Sequence, residues 1–186
     1  MTATFSDLPI DVLEKIVKES DLQECLVLRK VSRDLRTLVD SSEIHCEKIE
    51  FTFGYSLWTV NFNNVMLKYE DNKDGGCTVT VCKIGTEVNT KSYWDDQDFK
   101  QGMIADASTF LENPKLKIDR VEVENLTEDD VVQFLDYLKS LKHQLNVRSF
   151  YNPWGDCVAP FLPFMKPDEL EDITLRLTII TALKEI

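Results

Sequence analysis

The chain has 186 residues, a formal net charge of −12 and 43% hydrophobic residues. This length suits one domain, or a small module joined to a medium-sized one, and the composition is that of a globular protein. The negative charge and the lack of a lysine and arginine cluster disfavour nucleic-acid binding. No apolar run approaches the ~20 residues that span a bilayer, and no secretion signal opens the chain. We therefore expect no membrane partner and a cytoplasmic or nuclear protein.

The cysteines and histidines indicate neither a metal site nor an enzyme. Five cysteines, an odd number without a secretion signal, predict free thiols. Cys77 and Cys82 are five apart on a predicted strand, so they point to opposite faces and cannot share a metal. The chain has no catalytic signature motif, which predicts no cofactor, no metal and no catalytic residue. A thiol enzyme stays open as the minor alternative, and it requires a cysteine beside His45 or His143.

The first forty residues carry the pattern of three short helices. Asp7 and Pro9 are typical of a helix start, and the next helices open at Asp21, with Glu24 three residues later, and at Ser32. The apolar residues exceed what three such helices can bury among themselves. Part of this module must therefore pack on the downstream fold or on another protein, and the pattern leaves both open.

These residues resemble the F-box over positions 4–44. The resemblance rests on Leu8-Pro9-x-x-Val12-Leu13-x-x-Ile16, then Asp21-Leu22-x-x-Cys25-Leu26, then Val31-Ser32-Arg33-x-Leu35. It implies a surface gripped by a Skp-family adaptor, which links the chain to cullin and RING subunits of a ubiquitin ligase. The residues that the resemblance assigns to this surface are Leu8, Pro9, Val12, Leu13, Ile16, Leu22, Leu26 and Val31. Leu35 stands where many F-boxes carry Trp or Phe.

The following segment is predicted to be rich in β-strands. Residues 48–53 alternate with period two, and residues 65–69 and 77–81 flank the turn sequence 72–76, which predicts a hairpin. A helix with an apolar face follows at 99–111, after a loop that contains Asp95, Asp96 and Asp98. These carboxylates are expected to favour the helix N-terminus rather than a metal.

A strand pattern then recurs three times, beginning at Ile118, Val147 and Leu170, with a helix opened by Thr127 after the first. This repeat indicates a short α/β solenoid like that of leucine-rich repeats, so the whole chain is predicted as α+β. Segments 110–117 and 138–147 resemble the FTH domain that follows the F-box in a large nematode family, which implies an FTH-like domain at 48–186. Residues 178–186 form a capping helix, or the chain is a shortened form; both stay open.

Strand alternation predicts one exposed face on the three repeated strands. Its residues, with Trp154 just beyond the second strand, are the candidates for contact with a protein substrate: Arg120, Glu122, Glu124, Ser149, Tyr151, Trp154, Asp172, Thr174 and Arg176. A merely solvated face, or packing of Trp154 into the domain, is the competing interpretation. The predicted function is recruitment of that substrate to the ligase. The alternatives are an adaptor-binding decoy without a substrate and an F-box used outside a ligase.

Overall fold

The computed structural model describes residues 8–83, 89–95, 98–125, 127–152 and 159–175. The helices are α1 Ile10–Glu19, α2 Leu22–Val31, α3 Arg33–Ser41, α4 Phe99–Leu111 and α5 Glu128–Ser140. The strands are β1 Ile44–Thr52, β2 Leu57–Phe62, β3 Val65–Asp71, β4 Cys77–Lys83, β5 Asn89–Trp94, β6 Leu116–Glu124, β7 Asn146–Asn152 and β8 Asp172–Leu175. A membrane-crossing helix would have to be longer and more apolar than any helix among these residues.

Side-chain caps explain where the helices begin. The Glu24 amide donates to Asp21 Oδ1 at 2.8 Å while the Asp21 amide donates to Glu24 Oε2 at 3.0 Å, a complete capping box that opens α2. Ser32 caps α3, and Thr127 with Asp130 forms a second capping box at α5. These predicted starts are confirmed. Helix α1 begins after Pro9, and its expected cap Asp7 lies outside the described residues.

One eight-stranded sheet, in the order β5-β4-β3-β2-β1-β6-β7-β8, organises the rest of the chain. Strands β1 to β5 are antiparallel neighbours, whereas β1, β6, β7 and β8 are parallel. Strand β1 therefore joins the predicted β-rich segment to the predicted repeat. Helix α5 connects β6 to β7, whereas the described residues between β7 and β8 contain only a short 3-10 turn at Leu162–Phe164.

The predicted hairpin at 65–81 is confirmed as β3 and β4. Its turn places Gly75 at φ +103° and Gly76 at φ +72°, a conformation that favours glycine because other residues clash there. A Cβ atom on Gly76 would clash with the Trp94 carbonyl oxygen of β5. Glycine at position 76 therefore also allows β5 to lie close to the turn.

Helices α4 and α5 bury one face of the sheet through aromatic side chains. The Phe134 ring of α5 lies 4.8 Å from Phe51, 5.5 Å from Phe53 and 6.1 Å from Phe161, centroid to centroid. Trp58 of β2 is fully buried. Tilted and edge-on aromatic contacts of this kind add to the free energy gained by burial.

The three N-terminal helices pack onto the same core. Val17, Leu22 and Val39 are each 1% exposed and belong to the apolar cluster that includes the sheet. The Asn113 Nδ2 donates to the carbonyl oxygens of Val39 at 3.3 Å and Ser42 at 3.1 Å, which satisfies the end of α3. The helical module is thus held against the sheet, as one of its two predicted alternatives required.

Removing the Lys100 ammonium should destabilise the protein. Its Nζ lies 3.0 Å from Asp130 Oδ1, and the Asp130 side chain is only 4% exposed. We expect Lys100→Met to lower the free energy of unfolding by about 1–3 kcal/mol, because a buried carboxylate loses its charged partner. Lys139→Met is the matched control, since its pair with Asp136 is 62% and 63% exposed and should contribute under ~1 kcal/mol. If urea unfolding showed that Lys100→Met and Lys139→Met lose equal free energy of unfolding, the stabilising role of the Lys100–Asp130 pair would be contradicted.

Candidate functional surfaces

The helical module exposes apolar side chains at several of the positions predicted to bind an adaptor. Leu8, Val12 and Val31 are 37%, 39% and 57% exposed, and Pro9 is exposed. Ile16 and Leu26 are half-buried. These six residues are accessible to a partner.

Two of the predicted adaptor contacts, Leu13 and Leu22, are buried in the chain, and their contact with an adaptor stays a prediction. Leu13 is 8% exposed and Leu22 is 1% exposed. Leu13 lies one turn before the buried Val17 on the inner face of α1, and Leu22 opens α2 inside the shared core. A Leu13→Ala substitution would therefore report on the stability of the module before it reports on adaptor contact.

Sequence reasoning missed two exposed apolar residues in the same module. Ile10 is 63% exposed and Val27 is 58% exposed. The available signal was the spacing of Val27 and Val31, which are four residues apart and thus share one helix face. Ile16 of α1 and Val27 of α2 both line a depression of about 390 Å³, so the two helices contribute to one continuous surface.

The predicted substrate-contact residues lie in register across the parallel strands. Arg120, Ser149 and Asp172 are direct neighbours on β6, β7 and β8, and the next row holds Glu122, Tyr151 and Thr174. Asp172 and Thr174 are exposed. Trp154 and Arg176 lie outside the described residues.

Glu122 is the exception on this face, because it is only 8% exposed. Lys48 Nζ lies 2.8 Å from Glu122 Oε2, and Arg120 Nε lies 2.6 Å from Glu122 Oε1. The Arg120 guanidinium also stacks over the Tyr151 ring, 5.0 Å from its centroid. The expectation that Glu122 is exposed is therefore wrong, since two cations from β1 and β6 cover its carboxylate.

The electrostatics of this face are those of a closely packed ionic network. Desolvation opposes the charge on Lys48, but its bonds to Glu122 and Glu50 outweigh that effect and raise its pKa. Desolvation, followed by repulsion from Glu50 and Glu122, raises the pKa of Glu124. Carboxylate oxygens of Glu50, Glu122 and Glu124 lie within 4.8 Å of one another. Because Lys48 already pairs with two of them, we assign no metal here, and the absence of a metal site stays a prediction.

Cys46 and His45, which adjoin in sequence, do not form a thiol–imidazole pair. Cys46 Sγ donates to the Lys48 carbonyl oxygen and to Asn63 Oδ1, whereas the neighbouring His45 bonds through Nε2 to Asp119 Oδ2 at 3.0 Å. In the described residues the adjacent His45 and Cys46 thus bond to different partners. A thiol enzyme built on this pair has no support.

Cys46 should resist alkylation in the folded protein. Burial raises the pKa of its thiol from an ordinary 9.0 to about 12, and burial raises that of Cys25 to about 11. We expect both to remain unmodified by iodoacetamide at pH 7.5 until urea unfolds the chain, as measured by mass spectrometry. The unfolded state releases these protons at a lower pH than the folded state does. The stability that the two buried thiols contribute should therefore be fully present below pH 9 and be lost as the pH rises towards 11–12. Equal labelling rates with and without urea would refute this.

The capped three-helix module with an exposed apolar surface has a counterpart among known domains. Residues 5–47 match the sequence model of the F-box domain, so the chain contains an F-box domain and that prediction is confirmed. The chain is also similar to F-box A protein 224 of Caenorhabditis elegans, with 30% identity over 190 residues. That alignment covers 92% of this chain and 47% of the relative, so the chain spans about half the length of the curated relative it matches. No solved structure matches.

Proposed function

We propose that the chain is a substrate-recruiting subunit of a ubiquitin ligase that binds a Skp-family adaptor through its F-box domain. One observation carries the proposal. Ten large apolar side chains are exposed in the described residues, and five of them lie in residues 8–31. Such a concentration of apolar surface on a short, capped helical module is typical of an interaction site.

The proposed adaptor surface consists of the accessible apolar residues of α1 and α2 and the segment before them. These are Leu8, Pro9, Ile10, Val12, Ile16, Leu26, Val27 and Val31. The buried Leu13 and Leu22 support it from beneath. Through the adaptor the chain would join cullin and RING subunits, in the cytoplasm or the nucleus.

The second part of the proposal assigns target binding to residues 48–186, which we propose to be an FTH-like domain. Its candidate surface is the polar sheet face around Arg120, Tyr151, Asp172 and Thr174. The ionic network under Arg120 holds the guanidinium and the Tyr151 ring in one geometry, and preorganised Arg and Tyr side chains are favoured at interfaces. Recruitment of this kind accelerates ubiquitin transfer by proximity and requires no reacting side chain in this chain.

Reconstitution tests the proposal. The 186-residue chain would be mixed with a purified Skp-family adaptor, and the complex would be measured by size-exclusion chromatography and calorimetry. We expect a one-to-one complex at micromolar concentration or tighter. The absence of a complex at that concentration would refute adaptor binding.

A separate experiment tests target recruitment. Affinity capture on the chain, followed by ubiquitination with the assembled ligase, should yield a protein whose modification is lost with Tyr151→Ala and retained with Tyr93→Ala. Tyr93 is the matched control because it is 70% exposed and lies on β5, at the opposite edge of the sheet from β8. A chain that binds the adaptor but supports no modification of any captured protein would instead be a decoy, and modification that Tyr151→Ala leaves unchanged would place the target surface elsewhere.

A further inference from the structure

A cleft of about 570 Å³ separates helix α2 from the antiparallel half of the sheet. Leu26, Val27 and Lys30, which share one side of α2, form its first wall. Strands β3, β4 and β5 form the second, and α4 forms the third through residues that include Asp106 and Phe110. Its volume falls within the roughly 300–1,000 Å³ of small-molecule sites.

The floor of the cleft is aliphatic and incompletely covered. Leu67 and Val81 are partners in register on β3 and β4, and each is half-buried. Their neighbours Val65 and Val79, which also line the cleft, are only 4% and 5% exposed. Helix α4 thus covers part of this sheet face and leaves a strip of branched aliphatic side chains beside α2. An aliphatic molecule lying on that strip would remove it from water.

The mouth of the cleft is positively charged in a protein of net charge −12. Lys30 and Arg36 line it and are exposed, and within the described residues Lys30 makes no ion pair. Arg29 also lines it but is occupied by Asp40, with Nε 2.6 Å from Oδ1. The lining carboxylate, Asp106, accepts a hydrogen bond from the Tyr69 hydroxyl at 2.6 Å. Arg36 Nε donates to the Arg29 carbonyl oxygen at 3.2 Å, but within the described residues neither Arg36 nor Lys30 has a carboxylate partner, so these two cations remain available to an anion.

We propose that this cleft binds a long-chain aliphatic carboxylate. Its alkyl chain lies along Leu67 and Val81, and its carboxylate pairs with Lys30 and Arg36. The alkyl chain then covers accessible apolar surface, and the carboxylate pairs with two cations that have no ion pair within the described residues. Leu26 and Val27, which form one wall of the cleft, also belong to the proposed adaptor surface, so the two sites share these residues. The proposal itself does not depend on adaptor binding.

Titration of the intact chain with dodecanoate, below its micelle concentration, tests the site. Intrinsic tryptophan fluorescence, to which Trp94 in the cleft contributes, and calorimetry should both report one saturable site. Lys30→Glu should weaken binding about fivefold or more, because an attraction becomes a repulsion. Lys142→Glu, an exposed position that does not line the cleft, should leave binding unchanged. Circular dichroism would verify that both variants are folded.

Three results would overturn the proposal. The first is no saturable binding of dodecanoate up to about 1 mM, which corresponds to a negligible site. The second is equal affinity for dodecanol and dodecanoate, or equal binding by wild type and Lys30→Glu, which would remove the role of charge. The third is tryptophan fluorescence that changes only when the adaptor is added, which would assign the cleft to that protein.

Discussion

Val27→Asp is expected to weaken adaptor binding by about a hundredfold or more while leaving the fold intact. Val27 is 58% exposed on α2, so a carboxylate there meets water in the free chain and costs little stability. In the complex the same carboxylate would be desolvated against an apolar partner, which costs several kcal/mol. Calorimetry of the chain with a Skp-family adaptor measures the loss.

Val132→Asp is the matched control for this experiment. Val132 lies on α5, is 57% exposed and belongs to no surface proposed here for a partner. The substitution is chemically identical and equally solvated, so only the location differs. If Val132→Asp weakened binding as much as Val27→Asp did, or if Val27→Asp bound normally, the adaptor surface would have to be moved elsewhere.

Phe134→Ala should produce the largest loss of stability among single substitutions in α5. Phe134 is 3% exposed, and its ring contacts aromatic rings from β1, from the loop after it and from the segment before the 3-10 turn. Truncation of such a side chain removes buried area and leaves a cavity, at a cost of about 3–5 kcal/mol. This is a large share of the roughly 5–15 kcal/mol by which domains are stable.

Urea unfolding of Phe134→Ala and of Tyr55→Ala separates burial from the simple loss of an aromatic ring. Tyr55 is 96% exposed, so its truncation should change the free energy of unfolding by less than about 0.5 kcal/mol. A Phe134→Ala loss below about 1 kcal/mol would mean that α5 is not packed on the sheet as described. Because the F-box helices share this core, we also expect weaker adaptor binding by Phe134→Ala at temperatures where it is partly unfolded.

The helix starts and the hairpin could be predicted because their causes are local. Asp21 with Glu24 and Thr127 with Asp130 satisfy amides within three residues of themselves, whatever the rest of the chain does. Gly75 and Gly76 allow a backbone turn that few other residues adopt. The F-box resemblance rested on such short-range order, whereas the adaptor surface that it implies stays a prediction.

Burial depends on partners that are distant in sequence, and there the predictions were incomplete. Amphipathic spacing identified Leu13 and Leu22 as apolar residues of short helices but could not say which side of each helix the sheet would cover. Likewise, strand alternation placed Glu122 on the polar face, yet Lys48, a residue of β1 more than seventy positions earlier, covers it.

The sequence by itself determined the capped helices, the hairpin, the recurring strands and the presence of an F-box, since these follow from contacts between near neighbours or from a continuous motif. Only the tertiary structure decided that β1 pairs with both β2 and β6, which merges the two predicted parts into one sheet. The tertiary structure also decided which apolar side chains of α1 and α2 remain exposed, and it created the cleft beside Lys30. Both features depend on how closely helices that are far apart in the chain cover the same face of the sheet.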